Sequence, residues 1–330
     1  MISSKNVWVL VLAGGEGKRL RVLTTEPCGT PVPKQFCSLG GERSLIEEAI
    51  DRGAALIHTE RICAIVAAEH RRWWSESAAL ARLPSANLIV QPQNRGTAVG
   101  ILYAMLHIAA KDPDATVVVL PSDHHVANES ILRESLVAAL QAVRRSRSRP
   151  VLLGLEPDNA DTELGYIVPG ARDPTGGYRV RQFVEKPSVT DARSLIESGA
   201  LWNMFIVVAA IQRLIDLFRP QWRALIAEMQ VLVAGDQSAR CEDTRGLNPA
   251  EKYQRLPEVD FSRHVLAGHE LALRVMRVRP CGWSDLGTPR RVSEMLRRLP
   301  ARDYAAAVNR RSAYVNLAAQ HDRMQRQAWR

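Results

Sequence analysis

An apolar run that leads directly into a glycine-rich loop constrains this chain more than any other feature. Residues 9–13 are all apolar, residues 14–17 include three glycines, and Lys18 and Arg19 follow at once. Glycines let backbone N–H groups approach phosphate oxygens closely at the end of a strand. Arg19, with Lys34 further along, can neutralise charge that backbone dipoles leave uncompensated. The pattern predicts a binding loop for a triphosphate.

This loop matches neither of the two common phosphate-binding signatures. In a P-loop alignment, Leu12 stands at the first glycine position and Arg19 at the position that requires Ser or Thr. In a dinucleotide-binding fingerprint, Leu20 stands at the third glycine position. The sequence therefore predicts a third kind of phosphate loop.

Length and composition indicate an ordinary globular protein. The chain has 330 residues, of which 46% are apolar and 24% charged, enough for one large α/β domain or two smaller ones. Its five cysteines lack Cys-x-x-Cys spacing. This argues against a disulfide framework or a zinc knuckle and predicts a cytoplasmic protein. Residues 7–13 are too few for a signal segment or a membrane span.

The basic balance leaves several partners open. A formal charge of +9 suits nucleic acid, an anionic membrane surface or a polyanionic small substrate. Residues 144–149 are predicted as a solvated helix end, because arginine suits a helix C-terminus. Residues 288–330 carry ten arginines and three acids, which predicts a helix that is solvated or packed between subunits of a homo-oligomer. Because no interleaved aromatics support base stacking, nucleic acid is not expected as a partner. No membrane partner is expected either.

Apolar runs alternate with helical patterns in the first half of the chain, as in parallel-sheet α/β folds. Strands are predicted at 7–12, 62–67, 87–91, 116–120 and 151–155. Helices are predicted from a capping box at Ser44 to about Ile57, at 96–110 and at 128–145. Further strands at 166–169, 178–184, 201–209 and 271–278 are expected to extend the sheet and wall a pocket. Asn248 and Thr288, each followed by proline, are predicted helix N-caps.

Two acids follow apolar runs and are candidate metal ligands. Asp123 ends the run at 116–121, where open α/β sheets present ligands, although an aspartate that caps a turn fits equally well. Asp285 lies in a turn after the predicted strand at 271–278 and could instead belong to a helix entry. Together they could hold one Mg²⁺ against phosphate oxygens, but their spacing does not show that they meet. Zinc at His124 and His125 is disfavoured, since adjacent side chains diverge.

Two polar stretches also follow predicted strands. Gln91 and Asn94 carry amides that could read a base edge, and the helix that begins near Gly96 could face an anion. By itself this stretch is also compatible with a plain polar loop. Glu185 could accept sugar hydroxyls while Lys186 holds a phosphate, and a surface ion pair is the simpler alternative.

Eight motifs follow one another along the chain. They are residues 12–20, Pro33-Lys34-Gln35-Phe36, Asn94-Arg95-Gly96-Thr97-Ala98, Pro121-Ser122-Asp123-His124, Leu164-Gly165-Tyr166-Ile167, Phe183-Val184-Glu185-Lys186-Pro187, Trp202-Asn203 and Trp283-Ser284-Asp285-Leu286-Gly287. In this order they resemble the motifs of mannose-1-phosphate guanylyltransferases, within the sugar-phosphate nucleotidyltransferase family. The resemblance spans about residues 7 to 290, and the forms at 33–36 and 94–98 are similar to the guanylyl branch.

The resemblance implies a fold, a reaction and a metal. The fold is α/β: a Rossmann-like, GT-A-like nucleotidyltransferase with a mixed sheet flanked by helices. It implies a catalytic domain over 1–290, followed by a helical, basic C-terminal extension over 291–330. The reaction converts GTP and mannose 1-phosphate into GDP-mannose and pyrophosphate by in-line attack, without a covalent enzyme intermediate. Positioning, cationic side chains and Mg²⁺ suffice for such chemistry.

The same resemblance assigns roles to single residues. The catalytic residues are Arg19, Lys34 and Asp123, with Arg19 on the α-phosphate and the leaving pyrophosphate. The metal ligands are Asp123 and Asp285. The nucleotide-binding residues are Ala13, Gly14, Gly15, Gly17, Gln91, Asn94, Gly96, Thr97 and Ser122. The sugar-phosphate-binding residues are Gly165, Glu185, Lys186 and Asn203.

Three departures from the family pattern stand out. Val22 replaces a proline that usually follows the loop, and Met204-Phe205 replace the Ser-Gly that commonly follows Trp-Asn. The second change could reshape the sugar pocket, so the sequence predicts the type of reaction more firmly than it predicts mannose as the sugar. The sequence also shows no isomerase-like domain or hexapeptide repeats, so we expect one activity. Two alternatives remain: the same chemistry on another sugar 1-phosphate or NTP, and a regulatory paralogue that binds sugar nucleotide without turnover. The retention of Arg19, Lys34, Asp123 and Asp285 argues against the paralogue.

Overall fold

A mixed nine-stranded sheet organises the molecule in the computed structural model, with the order β3-β2-β1-β4-β9-β6-β10-β8-β7. The structure describes residues 6–25, 29–39, 43–238 and 249–299. The strands are β1 Val7–Ala13, β2 Ile62–Ala67, β3 Leu88–Gln91, β4 Thr116–Pro121, β5 His125–Val126, β6 Val151–Leu155, β7 Gly165–Arg172, β8 Tyr178–Glu185, β9 Leu201–Ala210, β10 Arg274–Val278 and β11 Trp283–Ser284. The helices are α1 Arg21–Thr24, α2 Leu45–Ala54, α3 Arg71–Trp74, α4 Ala78–Ala81, α5 Thr97–Lys111, α6 Glu129–Arg145, α7 Val189–Glu197, α8 Ile211–Asp216, α9 Arg219–Ser238, α10 Pro249–Gln254 and α11 Pro289–Arg297.

The predicted α/β fold class is confirmed. Strands β1 to β4 pair in parallel, while β9 runs antiparallel between β4 and β6. Strands β1, β2 and β4 are buried on both faces, which explains their continuous apolar runs. The predicted strands appear with ends shifted by up to three residues. The strand predicted to start at 271 starts at Arg274, because Glu270–Ala272 forms a 3₁₀ turn.

Helices cover both faces of the sheet. Along β1, Trp8 and Leu10 face the layer that contains α5, α8 and α9, while Val9 and Val11 face α2 and α6. The capping box of Ser44 with Glu47 is present at the start of α2. This helix ends at Ala54 rather than near Ile57. The N–H groups of residues 56 and 57 both return to the Gly53 carbonyl and close a turn.

The basic run at residues 144–149 is exposed or half-buried throughout, as expected of a solvated helix end, and two of its arginines also form hydrogen bonds. Arg147 donates to the Asp114 carbonyl (2.8 Å) and the Thr116 hydroxyl (3.2 Å), and Arg149 donates to the Leu271 carbonyl (3.1 Å). The arginines therefore also tie the end of α6 to neighbouring loops.

The helix that opens the C-terminal segment packs on the domain. Thr288 caps α11 by accepting from the Arg291 N–H, and proline occupies the first turn, as predicted. Val292, Met295 and Leu296 are buried against a cluster that includes Leu20 near the glycine loop. Residues 300–330 and the predicted cap Asn248 lie outside the described residues. Within the parts of the chain that the structure describes, no helix has the length and hydrophobicity to cross a bilayer.

Candidate functional site

One edge of the sheet opens onto a cavity of about 320 Å³. Ligands of open α/β sheets bind at such an edge. Ala13 and Gly17, predicted as nucleotide-binding, do not line it, and the Ala13 carbonyl accepts a hydrogen bond from Gln35 Nε2 (2.9 Å) instead. The other predicted site residues all line this cavity: Gly14, Gly15, Arg19, Lys34, Gln91, Asn94, Gly96, Thr97, Ser122, Asp123, Gly165, Glu185, Lys186, Asn203 and Asp285.

A two-residue ribbon brings Asp123 and Asp285 to the same end of the cavity. Strands β5 and β11 pair antiparallel, with His125 opposite Ser284. Asp123 lies two residues before β5 and Asp285 directly after β11, so the antiparallel register brings both acids to the same end of the ribbon. We call this part of the cavity the acidic end. Both acids line the cavity there, which their spacing in the sequence could not show.

Lys34 is a buried cation that contacts both acidic residues of the acidic end. Its side chain is only 5% exposed, and Nζ lies 3.0 Å from Asp123 Oδ2. It also donates to the carbonyl oxygens of Asp285 (2.5 Å) and Leu286 (3.3 Å). These contacts use all three donors of the ammonium group. Lys34 therefore holds the two acids together, and a phosphate would have to displace one of these contacts to bind it.

The charge on Asp123 follows from this contact. Burial opposes ionisation of the carboxyl, but the Lys34 ammonium holds the pKa of Asp123 below its ordinary value. Burial also lowers the pKa of His124 to about 4. The neutral His124 accepts from Trp283 Nε1 at Nδ1 (3.2 Å), whereas His125 Nδ1 lies 3.8 Å from Glu48. The two histidines face different partners, as their adjacency predicts.

The glycines of the loop have different neighbours. A Cβ on Gly14 would overlap the buried amide of Gln91, and one on Gly17 would lie 2.9 Å from Lys34 Cβ. No described atom beyond the adjacent residues lies within 4 Å of a Cβ on Gly15. Packing therefore explains Gly14 and Gly17, while Gly15 leaves room beside its backbone for a ligand.

The loop before α5 is held by the segment that follows α10. Asn94 Oδ1 accepts from the Gly96 N–H (3.0 Å), and the Val259 carbonyl accepts from the Ala98 N–H (3.0 Å). Gly96 has φ 87°, and a Cβ there would overlap the Val259 carbonyl. Protein oxygens thus occupy two N–H groups at this helix N-terminus. The anion predicted to face it would find fewer free donors than the sequence suggests.

Adjacent strands bring Gly165, Glu185 and Asn203 together at another part of the cavity wall, which we call the Glu185 end. Gly165 pairs with Glu185 across β7 and β8, and β9 lies on the other side of β7. A Cβ on Gly165 would lie 2.5 Å from Glu185 Oε2 and 3.5 Å from Asn203 Cβ. Burial and the neighbouring Asp260 carboxylate raise the pKa of Glu185. Carboxyl and amide groups of this kind suit sugar hydroxyls.

The lining residues that the sequence analysis did not assign to the site include Glu163, Phe205, Asp260 and Ser262. Phe205 has φ 55°, a left-handed conformation that costs a non-glycine residue about 1–2 kcal/mol. Its N–H donates to Asn203 Oδ1 (3.1 Å). The departure Met204-Phe205 therefore places an aromatic residue at the Glu185 end. Asp260 and Ser262 lie outside any predicted element, so no pattern could have indicated them.

Arg19 lies between solvent and the acidic end. Its side chain is 51% exposed and forms an ion pair with Glu163. A Cβ on Gly287 would lie 3.2 Å from Arg19 Nη2 and 2.5 Å from Asp285 Oδ2. The guanidinium of Arg19 and the carboxylate of Asp285 thus both lie close to Gly287. Because an exposed ion pair contributes little free energy, a phosphate group that binds Arg19 more tightly than Glu163 does could replace this contact.

Comparison with known proteins gives the family. The model of the nucleotidyl transferase family matches residues 8–301. This chain belongs to that family. Mannose-1-phosphate guanylyltransferase ManC of Salmonella typhimurium is 29% identical over 300 residues, covering 86% of this chain and 58% of the relative. The xanthan biosynthesis protein XanB of Xanthomonas campestris pv. campestris is 30% identical over 284 residues, with the same two coverages.

The fold of this chain is similar to that of a solved structure. A crystal structure described as mannose-1-phosphate geranyltransferase from Thermus thermophilus superposes with a TM-score of 0.72 and 28% identity. The match covers 89% of this chain and 80% of that chain. The chain spans 58% of the length of both curated relatives.

Proposed function

We propose that this chain transfers GMP from GTP to mannose 1-phosphate, giving GDP-mannose and pyrophosphate. The observation that carries the proposal is the arrangement of the cavity. Arg19, Lys34, Asp123 and Asp285 lie at the acidic end, and the polar residues of the Glu185 end line the same cavity. Such a cavity can align two anionic substrates for attack, which is most of what phosphoryl-type transfer requires. The choice of GTP and mannose rests on the names of the relatives.

The proposed step is a direct displacement. A phosphate oxygen of mannose 1-phosphate forms a bond to the α-phosphorus of GTP, and the bond from that phosphorus to the β-bridging oxygen breaks. Pyrophosphate leaves with the electron pair. Arg19 stabilises the charge that develops on the α-phosphate and the leaving group. The amides of Gln91 and Asn94 orient the base, and Glu185 and Asn203 orient the sugar.

The acidic end suits Mg²⁺, which we propose as the cofactor. Mg²⁺ takes oxygen ligands and is commonly held by one or two carboxylates plus substrate phosphates. Asp123 is ionised, and the hydrogen bonds to the Asp285 carboxylate end on Oδ1, which leaves Oδ2 toward the cavity. No cluster of three His, Cys, Asp or Glu side chains that could hold a metal occurs among the described residues. The substrate phosphates would therefore complete the coordination, and the bound ion would neutralise phosphate charge.

A panel of substrates tests this function. Purified protein is incubated with Mg²⁺, each common NTP and a set of sugar 1-phosphates, and pyrophosphate release is measured. GTP with mannose 1-phosphate is expected to give the highest kcat/KM. Faster release with a different pair would support the reaction type but change the proposed substrates. Phe205 at the Glu185 end would then be the first residue to test as the cause of a different sugar preference. A lack of release with every pair would contradict the enzyme proposal and favour a binding protein.

Two alanine substitutions distinguish a glycine that leaves room for a ligand, Gly15, from a glycine that the fold requires, Gly96. Gly15→Ala is expected to leave the melting temperature unchanged and to raise the KM for GTP about tenfold, because the added methyl enters the space proposed for the triphosphate. Gly96→Ala is the matched comparison. It should lower the free energy of unfolding by roughly 1–3 kcal/mol, since φ is 87° there. Steady-state kinetics and thermal melts check both, and an unchanged KM for Gly15→Ala would place the phosphates elsewhere.

A further inference from the structure

Arg291 is a buried cation that contacts two carboxylates from different parts of the fold. It lies on α11, beyond the last motif of the sequence analysis, and its side chain is 7% exposed. Nη1 donates to Asp285 Oδ1 (2.5 Å), while Nε donates to Asp161 Oδ2 (3.0 Å). Nη2 lies 2.5 Å from Asp161 Oδ1. One guanidinium thus donates a hydrogen bond to each of Asp161 and Asp285, and its third nitrogen is close to Asp161 at ion-pair distance.

The two oxygens of the Asp285 carboxylate have different surroundings. Oδ1 accepts from Arg291 and also from the Gly287 N–H (3.1 Å). Oδ2 lies over Gly287, where a Cβ would come within 2.5 Å of it, and this is the side on which Arg19 approaches. Arg291 therefore fixes which oxygen of Asp285 faces the acidic end.

Asp161 anchors the arginine from the other side. It lies between β6 and β7, in the same connection as Glu163, the ion-pair partner of Arg19. Asp161 also accepts from Arg290 (3.1 Å), but Arg290 is half exposed and its other ion pair is with Glu294. Arg290 thus shares the anchor of Arg291 without sharing its contact to Asp285.

We propose that Arg291 is a positioning residue that orients Asp285 for a divalent cation. This inference rests on the proposed function. The planar fork of arginine can hold two carboxylates at fixed angles, which the single ammonium of lysine cannot. By occupying Oδ1, Arg291 leaves Asp285 a single oxygen for the ion, in keeping with the strict octahedral geometry of Mg²⁺. Residues that orient a metal ligand in this way typically change metal affinity or activity by 10–100-fold when replaced.

Calorimetry of GTP binding tests this role without turnover. The affinity for GTP is measured in Mg²⁺ and again in EDTA for the wild type, Arg291→Met, Arg291→Lys and the control Arg290→Met. Arg291→Met is expected to lose about 10–100-fold of the affinity gained from Mg²⁺ and to bind GTP normally in EDTA. Arg291→Lys should show the same loss, while Arg290→Met should match the wild type.

The outcomes separate this inference from the proposed function. A wild type that binds no GTP would contradict the proposed function itself. A wild type with a clear Mg²⁺ gain that Arg291→Met retains would overturn the role of Arg291 alone. Should Arg291→Met fail to fold because Asp161 and Asp285 lose this cationic partner, the double variant Arg291→Met with Asp161→Asn removes one of the two negative charges. The same loss of the Mg²⁺ gain is expected of it, and a retained gain would again overturn the inference.

Discussion

Asp123→Asn is expected to lower kcat by at least about 1,000-fold while the fold remains intact. The substitution removes an ionised carboxylate from the acidic end, and with it a proposed ligand of Mg²⁺. Metal-assisted charge stabilisation contributes several kcal/mol to a transition state, and each 1.4 kcal/mol corresponds to a tenfold change in rate. The measurement is steady-state pyrophosphate release, with circular dichroism to confirm the fold.

Asp51→Asn is the matched control for this substitution. Asp51 is 32% exposed, compared with 38% for Asp123, and it is likewise ion-paired, with Arg43 and Arg82. It lies on α2 and does not line the cavity. Its variant should keep wild-type kcat. Near-normal turnover by Asp123→Asn would refute the metal role of this residue.

Arg19→Met is expected to lower kcat by about 100- to 1,000-fold, the usual cost of removing one donor that stabilises developing charge. The effect on stability should be small. Arg19 is half exposed, and its ion pair with Glu163 is a surface contact of the kind that contributes little. Because the contact proposed for Arg19 strengthens in the transition state, kcat should fall more than the KM for GTP rises.

Arg21→Met controls for the loss of a positive charge near the loop. Arg21 is 52% exposed and pairs with Glu16, so it resembles Arg19 in exposure and charge, but it does not line the cavity. We expect kinetics close to those of the wild type. Equal losses in the two variants would show that Arg19 acts through the general basic field rather than through a specific contact.

The sequence was sufficient to predict the parallel half of the sheet. Strands β1, β2, β4 and β6 are continuous apolar runs, which only burial on both faces explains, and α2, α6 and α11 start at recognisable caps. Side chains that follow such strands fall at one edge, so the position of Asp123 could be expected. These are local patterns, and local patterns can be read from one chain.

Contacts between distant segments could not be predicted in the same way. The ribbon that joins Asp123 to Asp285 consists of two strands of two residues each, too short to show any alternation. Two of the three contacts of Lys34 are to a turn about 250 residues away along the chain. Asp260 reaches the Glu185 end because Val259 pairs with the loop before α5. None of these pairings leaves a periodic signal.

The fate of the phosphate oxygens tests the central claim most directly. GTP is incubated with the protein, Mg²⁺ and mannose 1-phosphate whose terminal phosphate oxygens are ¹⁸O, and the products are weighed by mass spectrometry. Direct attack by the sugar phosphate predicts that all of the label appears in GDP-mannose and none in pyrophosphate. Label in the pyrophosphate, or GMP formed in place of GDP-mannose, would contradict the proposed transfer.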